Sequence, residues 1–522
     1  MTDASGSPAL SAARRRRELD ALASGGAVDL LVIGGGVTGA GVALDAAARG
    51  LRVVLVEAHD LAFGTSRWSS KLVHGGLRYL ASGDVAVARE SAIERHVLMT
   101  RTAPHLVRPL PQLLPLVPSV TARQAVITGT GFAVGDGLRL LARTPSATLP
   151  RPRRISRDQV LRLSPATRRD GLRGGLLAYD GQLVDDARLV VALARTAAAF
   201  GATILTRMRA RSADATGAVL EDALGGGTLR LDARAVVNAA GVWAGEFDES
   251  IHLRPSRGTH IVLDAAALGD PTAALTVPHP GSVSRFVFAL PQQLGRVVVG
   301  LTDEDAPGRV PDVPEPTERE IAFLLQTLSS ALELPLERAD VLGAFAGLRP
   351  LIDAGPGSTA DISRRHHVAA SPSGVVTVLG GKLTTYRAMA QQAVDLAVRR
   401  AGLDAGPSRT RALPLVGAPG SPVRIPTGTG ADAALPVSLT ARFGSEAGRV
   451  LASASCVDPA APIAAGIDVT RAEIAFAVTD EGALDADDVL ERRTRIGLVG
   501  ADRDRAAAAV AELVAETLAR AA

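Results

Sequence analysis

A chain of 522 residues exceeds what one hydrophobic core can serve, so two or three domains are expected. Its 47% hydrophobic share is carried by Ala, Val and Leu rather than by aromatics, at 3%, and it holds no run of about 18 uncharged apolar residues, which argues against a transmembrane helix. A net charge of +3 spread along the chain offers no concentrated basic face for nucleic acid, and a single cysteine, Cys456, excludes an intramolecular disulfide. A cytoplasmic location is the default, because Arg14–Arg17 has no apolar segment behind it of the kind a secretory signal carries.

Residues 1–24 read as a mobile tail or a short helix. Ala27–Ile33 then has the unbroken apolar pattern of a buried parallel strand, Gly34-Gly-Gly-Val-Thr-Gly39 follows, and a helix runs over Ala40–Arg49 until Gly50 ends it. Arg52–Glu57 is a second strand, closing on an acid. A G-x-G-x-x-G between strand and helix is the dinucleotide fingerprint. Gly34 permits the tight turn, Gly36 lets backbone approach a pyrophosphate, and Gly39 allows helix and strand to pack closely. The helix N-terminus offers amides and partial positive charge to the phosphates, and Glu57 is placed to accept both ribose hydroxyls. Only one such fingerprint is present. A flavoprotein that used a nicotinamide would need a second, so the single site points to a tightly held FAD with a different partner for its reoxidation.

Gly64–Leu80, GTSRWSSKLVHGGLRYL, concentrates residue types that the chain uses sparingly. Of 57 Lys and Arg residues only Lys71 and Lys382 are lysine, and the stretch also holds one of two tryptophans, one of three tyrosines and one of nine histidines. A lysine kept against that bias marks a place where a compact ammonium differs usefully from a planar fork. Asp84–Thr102 is expected to be helical, residues 104–118 form a proline-punctuated apolar segment, and residues 121–143 resume a helical pattern with interspersed arginines. Apolar residues on one side and basic ones on the other suit attachment to anionic lipid.

Residues 151–173 read as a basic connector, residues 175–179 as a strand and Asp185–Phe200 as a helix. Strands at 203–208, 218–220 and 229–231 precede Ala235–Gly241, a buried strand running into Ala240 and Gly241, small enough for backbone to lie against a cofactor. Residues 259–263, 285–290 and 296–301 are β-patterned, residues 314–332 hold a helix with an acidic first turn, and residues 341–351 carry Arg349. A last buried strand, 375–379, leads into Gly380-Gly-Lys-Leu-Thr-Thr-Tyr386 and a helix to Arg400. Residues 402–436, rich in Gly, Pro, Ser and Thr, read as a linker. Residues 437–522 read as helical, with Glu491–Arg495 as a solvated face.

Taken together, GTSRWSSKLVHGGLRYL, RGTHIVL, GLRPL, ISRRHH and GGKLTTYR resemble, in matching order from Asp29 to Arg400, the respiratory, quinone-linked FAD-dependent glycerol-3-phosphate dehydrogenases. DADDVLERRTR resembles the C-terminal domain of that family, and Trp68 departs from it, standing where many relatives have a small or polar residue. The implied fold is α/β. A Rossmann-like FAD-binding domain is expected from residues 25–104, 150–250 and 340–401. An inserted antiparallel-sheet substrate domain of the amino-acid-oxidase type is expected from residues 105–149 and 251–339, followed by a C-terminal α-helical domain.

The resemblance implies that Thr65, Ser66, Ser69 and Ser70 offer hydroxyls and amides to the FAD diphosphate and ribityl chain. Lys71 and His74 would face the flavin, with Gly75 and Gly76 letting its ring lie against backbone. Gly381, Lys382, Leu383 and Thr384 would close the other side, Lys382 being open between flavin and substrate phosphate. The implied substrate is glycerol 3-phosphate. Arg78, Arg349 and Arg364 are its implied phosphate ligands, with Tyr79 as a hydroxyl partner, because arginine forks match phosphate oxygens in pairs. Oxidation at C2 removes a hydroxyl proton, a task for a histidine: His260 is the first choice and His74 the second, with Arg349 beside them in the catalytic set. No metal is expected. Electrons would pass to a quinone at the inner face of the membrane, reached by peripheral contact with anionic lipid, and a homodimer is compatible with this arrangement. Two alternatives stay open: an oxidase passing electrons to oxygen, and a non-catalytic FAD-binding redox sensor or scaffold.

Overall fold

The structure is a computed structural model that describes residues 6–76, 84–280, 282, 285–353, 366–423 and 435–521. Its first sheet runs through His367–Ala370, Val376–Leu379, Thr228–Asn238, Val28–Ile33, Val53–Val56 and Thr203–Leu205. Every pairing on that path is parallel except that of the edge strand His367–Ala370. Val28–Ile33 has a neighbour on each side and is covered on both faces, which is why VDLLVI shows no alternation. Leu30, Val32 and Leu55 face the helices Val37–Ala48, Asp186–Ala199 and Tyr386–Ala401. Leu31, Ile33 and Val54 face the hairpin Met208–Asp214 and Gly217–Asp222. Thr228–Asn238 belongs to both layers, antiparallel to the hairpin in its first half and parallel to Val28–Ile33 in its second. The segments expected at 229–231 and 235–241 are thus one strand.

The second sheet runs through Glu304–Asp305, Ser256–Asp264, Arg296–Gly300, Phe286–Gln292, Ala274–Pro278, Val107–Pro115, Gly175–Leu183 and Leu72–Val73. Gly343–Arg349 adds to Ser256–Asp264, and Arg153–Ile155 to Gly175–Leu183. The helix Glu318–Ser329, opened by a capping box of Thr317 and Glu320, covers one face through Ile321, Leu324 and Leu328.

Several expectations are corrected here. Leu72–Val73, Arg153–Ile155, Gly175–Leu183 and Gly343–Arg349, assigned above to the FAD-binding domain, are strands of the second sheet. Membership follows from pairing with distant strands, which local pattern does not carry. The proline-punctuated segment is the strand Val107–Pro115, paired along its whole length with Gly175–Leu183. Pro109 and Pro111, two residues apart, turn their missing N–H groups to one side, and the neighbour on the other flank pairs only at Gln112 and Leu113.

Of the two readings of the N-terminal residues, a mobile tail or a short helix, the second holds over Ala12–Ala23, N-capped by Ser11. Arg15 ties it down by donating to Thr206 O at 2.8 Å and Asp222 Oδ1 at 2.5 Å. The supposed linker, described as far as residue 423, packs Leu413, Leu415 and Val416 into the main core, and Ser408 and Thr410 donate to Asp45. Gly, Pro, Ser and Thr there mark irregular backbone, not an unpacked chain. Among the described residues no helix is long and apolar enough to cross a membrane.

Candidate active site

The glycine turn has the geometry its sequence requires. Gly34 has φ +110°, and a Cβ on it would lie 2.5 Å from Ala239 O. A Cβ on Gly39 would run into the Gly34 carbonyl, so helix and strand meet backbone to backbone. Gly36 caps the helix Val37–Ala48, and Val37 N–H donates to Ser66 Oγ at 2.9 Å. Glu57 accepts from Gly35 N at 2.6 Å and His59 N at 2.9 Å, while burial pushes its carboxyl above the usual range. Ala239 N donates to Ile33 O at 2.8 Å, which brings Ala240 and Gly241 beside the turn; no atom lies within 4 Å of where a Gly241 Cβ would stand. A helix N-terminus, a carboxylate at the second strand end and a small-residue strand end fit a dinucleotide's phosphates and ribose.

The loop from Gly64 to Gly76 is pinned at several points. Thr65 Oγ1 donates to Leu348 O at 2.6 Å. Ser69 donates from N and Oγ to Asp186 Oδ2, at 3.0 and 2.7 Å, and its Oγ accepts from Lys71 N at 2.9 Å. Lys71, in the left-handed region at φ +57°, is 3% exposed, with Nζ 3.5 Å from Asp186 Oδ1 and 5.4 Å from the Phe345 ring centre. Burial pushes its ammonium down, against the pull of Asp186. Lys71 is therefore turned into the protein and paired there. Gly75 N donates to Asp180, which also takes Arg95 Nη1 at 2.6 Å. Gly76 N donates to His74 Nδ1 at 3.3 Å. Arg78, Tyr79 and Arg364 lie outside the described residues.

In the second sheet Ser256 pairs with Arg349, Gly258 with Gly347 and His260 with Phe345. The period of two puts Ser256, Gly258 and His260 on one face with Phe345, Gly347 and Arg349. Glycines clear that face: a Cβ on Gly300 would strike the His260 ring, one on Gly258 the Arg349 guanidinium, and one on Gly347 would lie 2.7 Å from Trp68 Cβ. Trp68, Phe345 and His260 form a stack, with centroids 5.4 and 4.9 Å apart. His260 Nε2 lies 2.8 Å from Ser70 Oγ. Burial, then the charges of Lys71 and Arg349, draw its imidazole down to about 3, so it is neutral at physiological pH. Arg349 donates to Asp303 Oδ1 at 3.0 Å, Ser256 Oγ at 3.2 Å and Thr302 O at 3.2 Å.

Lys382 Nζ donates to Ser91 Oγ at 2.7 Å, and a Cβ on Gly76 would lie 3.2 Å from the same oxygen. The two distant motifs thus meet at Ser91, on the helix Val85–Val97. Gly381, with φ +70°, precedes the short turn Leu383–Thr385, where Thr384 Oγ1 is buried without a hydrogen-bond partner in the described structure. Tyr386, in contrast, packs its ring on Gly41 in the helix layer and is a core residue. The sequence reading missed Asp186, Asp180, Arg95, Ser91 and Asp303. Only the adjacent acids Asp185 and Asp186, opening a helix rich in Ala, Val and Leu, gave a local signal.

The profile of the FAD-dependent oxidoreductase family matches residues 29–387, and that of the C-terminal domain of alpha-glycerophosphate oxidase matches residues 408–521. Glycerol-3-phosphate dehydrogenase 1 of Mycobacterium tuberculosis is 60% identical over 512 residues, covering 97% of this chain and 99% of the relative. The solved glycerol-3-phosphate dehydrogenase of Bacillus halodurans, complexed with FAD, matches with a TM-score of 0.70 at 26% identity, over 100% of this chain and 96% of that one. The L-alpha-glycerophosphate oxidase of Mycoplasma pneumoniae shares the fold, with a TM-score of 0.57 at 18% identity over 75% of this chain and 99% of that one. With FAD as its cofactor, the chain belongs to the FAD-dependent glycerol-3-phosphate dehydrogenase family.

Proposed function

We propose that the chain oxidises sn-glycerol 3-phosphate to dihydroxyacetone phosphate and hands the electrons to a membrane quinone. The observation that carries the reading is the shared sheet face on which neutral His260 stands near cationic Arg349, a proton acceptor beside an anion ligand. The names of the relatives support the substrate.

FAD, when bound, supplies the acceptor for the two electrons that leave C2 as hydride. Gly34, Gly36, Gly39 and the start of the helix Val37–Ala48 hold its diphosphate, Glu57 its ribose, and Ser66, Gly75, Gly76, Gly241, Gly381 and Thr384 the remainder. Arg349 binds the substrate phosphate with Lys382, joined by Arg78, Tyr79 and Arg364. His260 Nε2 takes the C2 hydroxyl proton when the substrate hydroxyl replaces Ser70 Oγ on the single lone pair of that nitrogen, Ser70 holding the ring in direction until then. The phosphate dianion offsets the charges of Lys71 and Arg349 that depress the His260 imidazole, so the substrate itself raises the basicity of its acceptor. The helix Ala122–Leu141, with Val126, Val134 and Leu141 exposed, is the proposed contact with the membrane.

Anaerobic addition of glycerol 3-phosphate is expected to bleach the visible band of the bound flavin. No bleaching overturns the substrate assignment. Reoxidation by a quinone analogue without peroxide supports quinone as acceptor, whereas peroxide release in air at a comparable rate makes the chain an oxidase.

A further inference from the structure

We propose that the C-terminal domain positions the active-site loop through Arg495, which grips the backbone of Arg67 and so holds Ser69 and Ser70 in register with His260. The inference rests on the reading of His260 as the proton acceptor.

The segment Glu491–Arg495, expected on a solvated face, is driven into the seam between domains. Arg492, Arg493 and Arg495 are only 4%, 2% and 3% exposed. Burying so many guanidinium groups is costly unless each finds a partner, and the partners fall into two sets. Arg492 and Arg493 both bind Asp60, at 2.6 and 2.9 Å, and Arg493 also donates to Glu481 O at 2.9 Å. The Asp60 contacts attach the domain to the segment that follows the strand Val53–Val56, while the Glu481 contact lies within the domain.

Arg495 points elsewhere. Its backbone is in the left-handed region at φ +65°, which breaks from the turn that carries its neighbours. Its Nη2 donates to Arg67 O at 2.6 Å, its Nε lies 3.3 Å from Asp185 Oδ2, and its guanidinium stands 5.3 Å from the Trp68 ring centre. Glu491 reaches the same residue from the other side, with Oε2 3.3 Å from Arg67 Nη1. One short segment therefore holds both the carbonyl and the side chain of Arg67.

From Arg67 the constraint passes along three residues. Ser69 is fixed by two hydrogen bonds to Asp186, and Ser70 Oγ meets His260 Nε2 at 2.8 Å. Asp185, which takes Arg495, and Asp186, which takes Ser69 and Lys71, are consecutive at the start of one helix. Loop and C-terminal arginine are thus pinned to adjacent carboxylates. Arg495 is a positioning residue in this arrangement, since it reaches His260 only through the loop.

The test compares Arg495→Met with Arg493→Met in the full-length, FAD-loaded protein. Arg493 holds the same domain, and among the described residues its side chain bonds to Asp60 and Glu481 O rather than to the loop, so it separates positioning from attachment. Arg495→Met is expected to lower kcat per bound FAD by roughly 10- to 100-fold with little change in KM, the scale of a small misplacement at a reacting centre. It should also alter the visible circular dichroism of the flavin and speed amide exchange at Ser69. Arg493→Met should lower the Tm while leaving kcat per bound FAD and the dichroism unchanged. Arg495→Lys keeps the charge but loses the fork, and an intermediate loss of kcat from it supports the same conclusion if the methionine variant does not fold. Turnover per FAD within about twofold of wild type in both Arg495 variants, or an equal loss in Arg493→Met, overturns the proposal, because the misplacement penalty is then absent or not specific to Arg495. Failure of wild type to bleach with glycerol 3-phosphate would sink the functional reading instead; dichroism and exchange use no substrate and still decide the role of Arg495.

Discussion

Ser70 Oγ lies 2.8 Å from Nε2 of His260, joining the loop that follows the glycine turn to a strand 190 residues further along the chain. Nε2 is the ring atom assigned to proton transfer, and the serine sets its direction. Ser70→Ala removes a bond worth about 1 kcal/mol, which is roughly a fivefold to tenfold loss in kcat at unchanged FAD content. Steady-state kinetics per bound flavin check this, and an undiminished kcat would show that packing against Phe345 alone orients the ring.

The depressed imidazole of His260 also makes stability depend on pH. Its native value of about 3 lies below the value of about 6.5 it regains on unfolding, so the native state refuses a proton that the unfolded chain accepts. Stability from this group is complete above about 6.5 and is lost as pH falls from there toward the native value, with a slope of at most about 1.4 kcal/mol per pH unit. His105, drawn down to about 4 by burial and then by Arg188, adds a second slope of the same sign. His260→Gln is expected to lower turnover by about 10²- to 10⁴-fold and to flatten the acid side of the stability profile. Urea midpoints measured from neutral to mildly acidic pH check the second part. Parallel profiles for wild type and variant would mean that His260 titrates normally in the folded protein.

What was legible in the sequence was what is local. The strand, glycine turn and helix from Val28 to Ala48 need only a few consecutive residues to declare themselves, and Gly34, Gly35 and Gly39 answer to neighbours within the same unit or at an adjoining strand end. Asp186 was illegible as a loop anchor because its partner Ser69 is 117 residues away. Glu491–Arg495 misled for a related reason: a cluster of charges reads as solvated until Asp60, 432 residues from Arg492, is seen beneath it. The strand Val107–Pro115 misled in the opposite direction, because prolines that would break a central strand cost little when one flank is nearly unpaired.

Gly347 and Trp68 supply a steric test of the same site. A Cβ at Gly347 would lie 2.7 Å from Trp68 Cβ, and Trp68 precedes the serines that meet Asp186 and His260. Gly347→Ala is expected to destabilise by about 1–3 kcal/mol and to lower kcat by displacing the loop. Gly448→Ala is the control, since nothing lies within 4 Å of the added atom and the site is helical. There the change should be neutral or stabilising by up to about 1 kcal/mol. Equal Tm values for Gly347→Ala and wild type would show that Trp68 moves freely, and the stack with Phe345 would then not order the loop.

The helix Ala122–Leu141 carries the last prediction. Val126, Ile127, Val134, Leu140 and Leu141 are exposed, at 69%, 38%, 46%, 55% and 70%, and helical geometry places them within one arc of its surface. Thr130, Ala133 and Gly137 fill the rest of that arc, so the face carries no carboxylate, while exposed Arg123 and Arg143 stand near its two ends. An uncharged exposed face bracketed by arginine suits a helix lying at the level of anionic headgroups. Full-length protein is expected to float with anionic vesicles at low salt. The double variant Val126→Glu, Leu141→Glu should stay in the soluble fraction with kcat toward a soluble acceptor unchanged, because both side chains are exposed on the helix surface. Flotation of the variant equal to that of wild type would assign lipid contact to another surface. No flotation of wild type at low salt would remove peripheral membrane contact from the functional reading altogether.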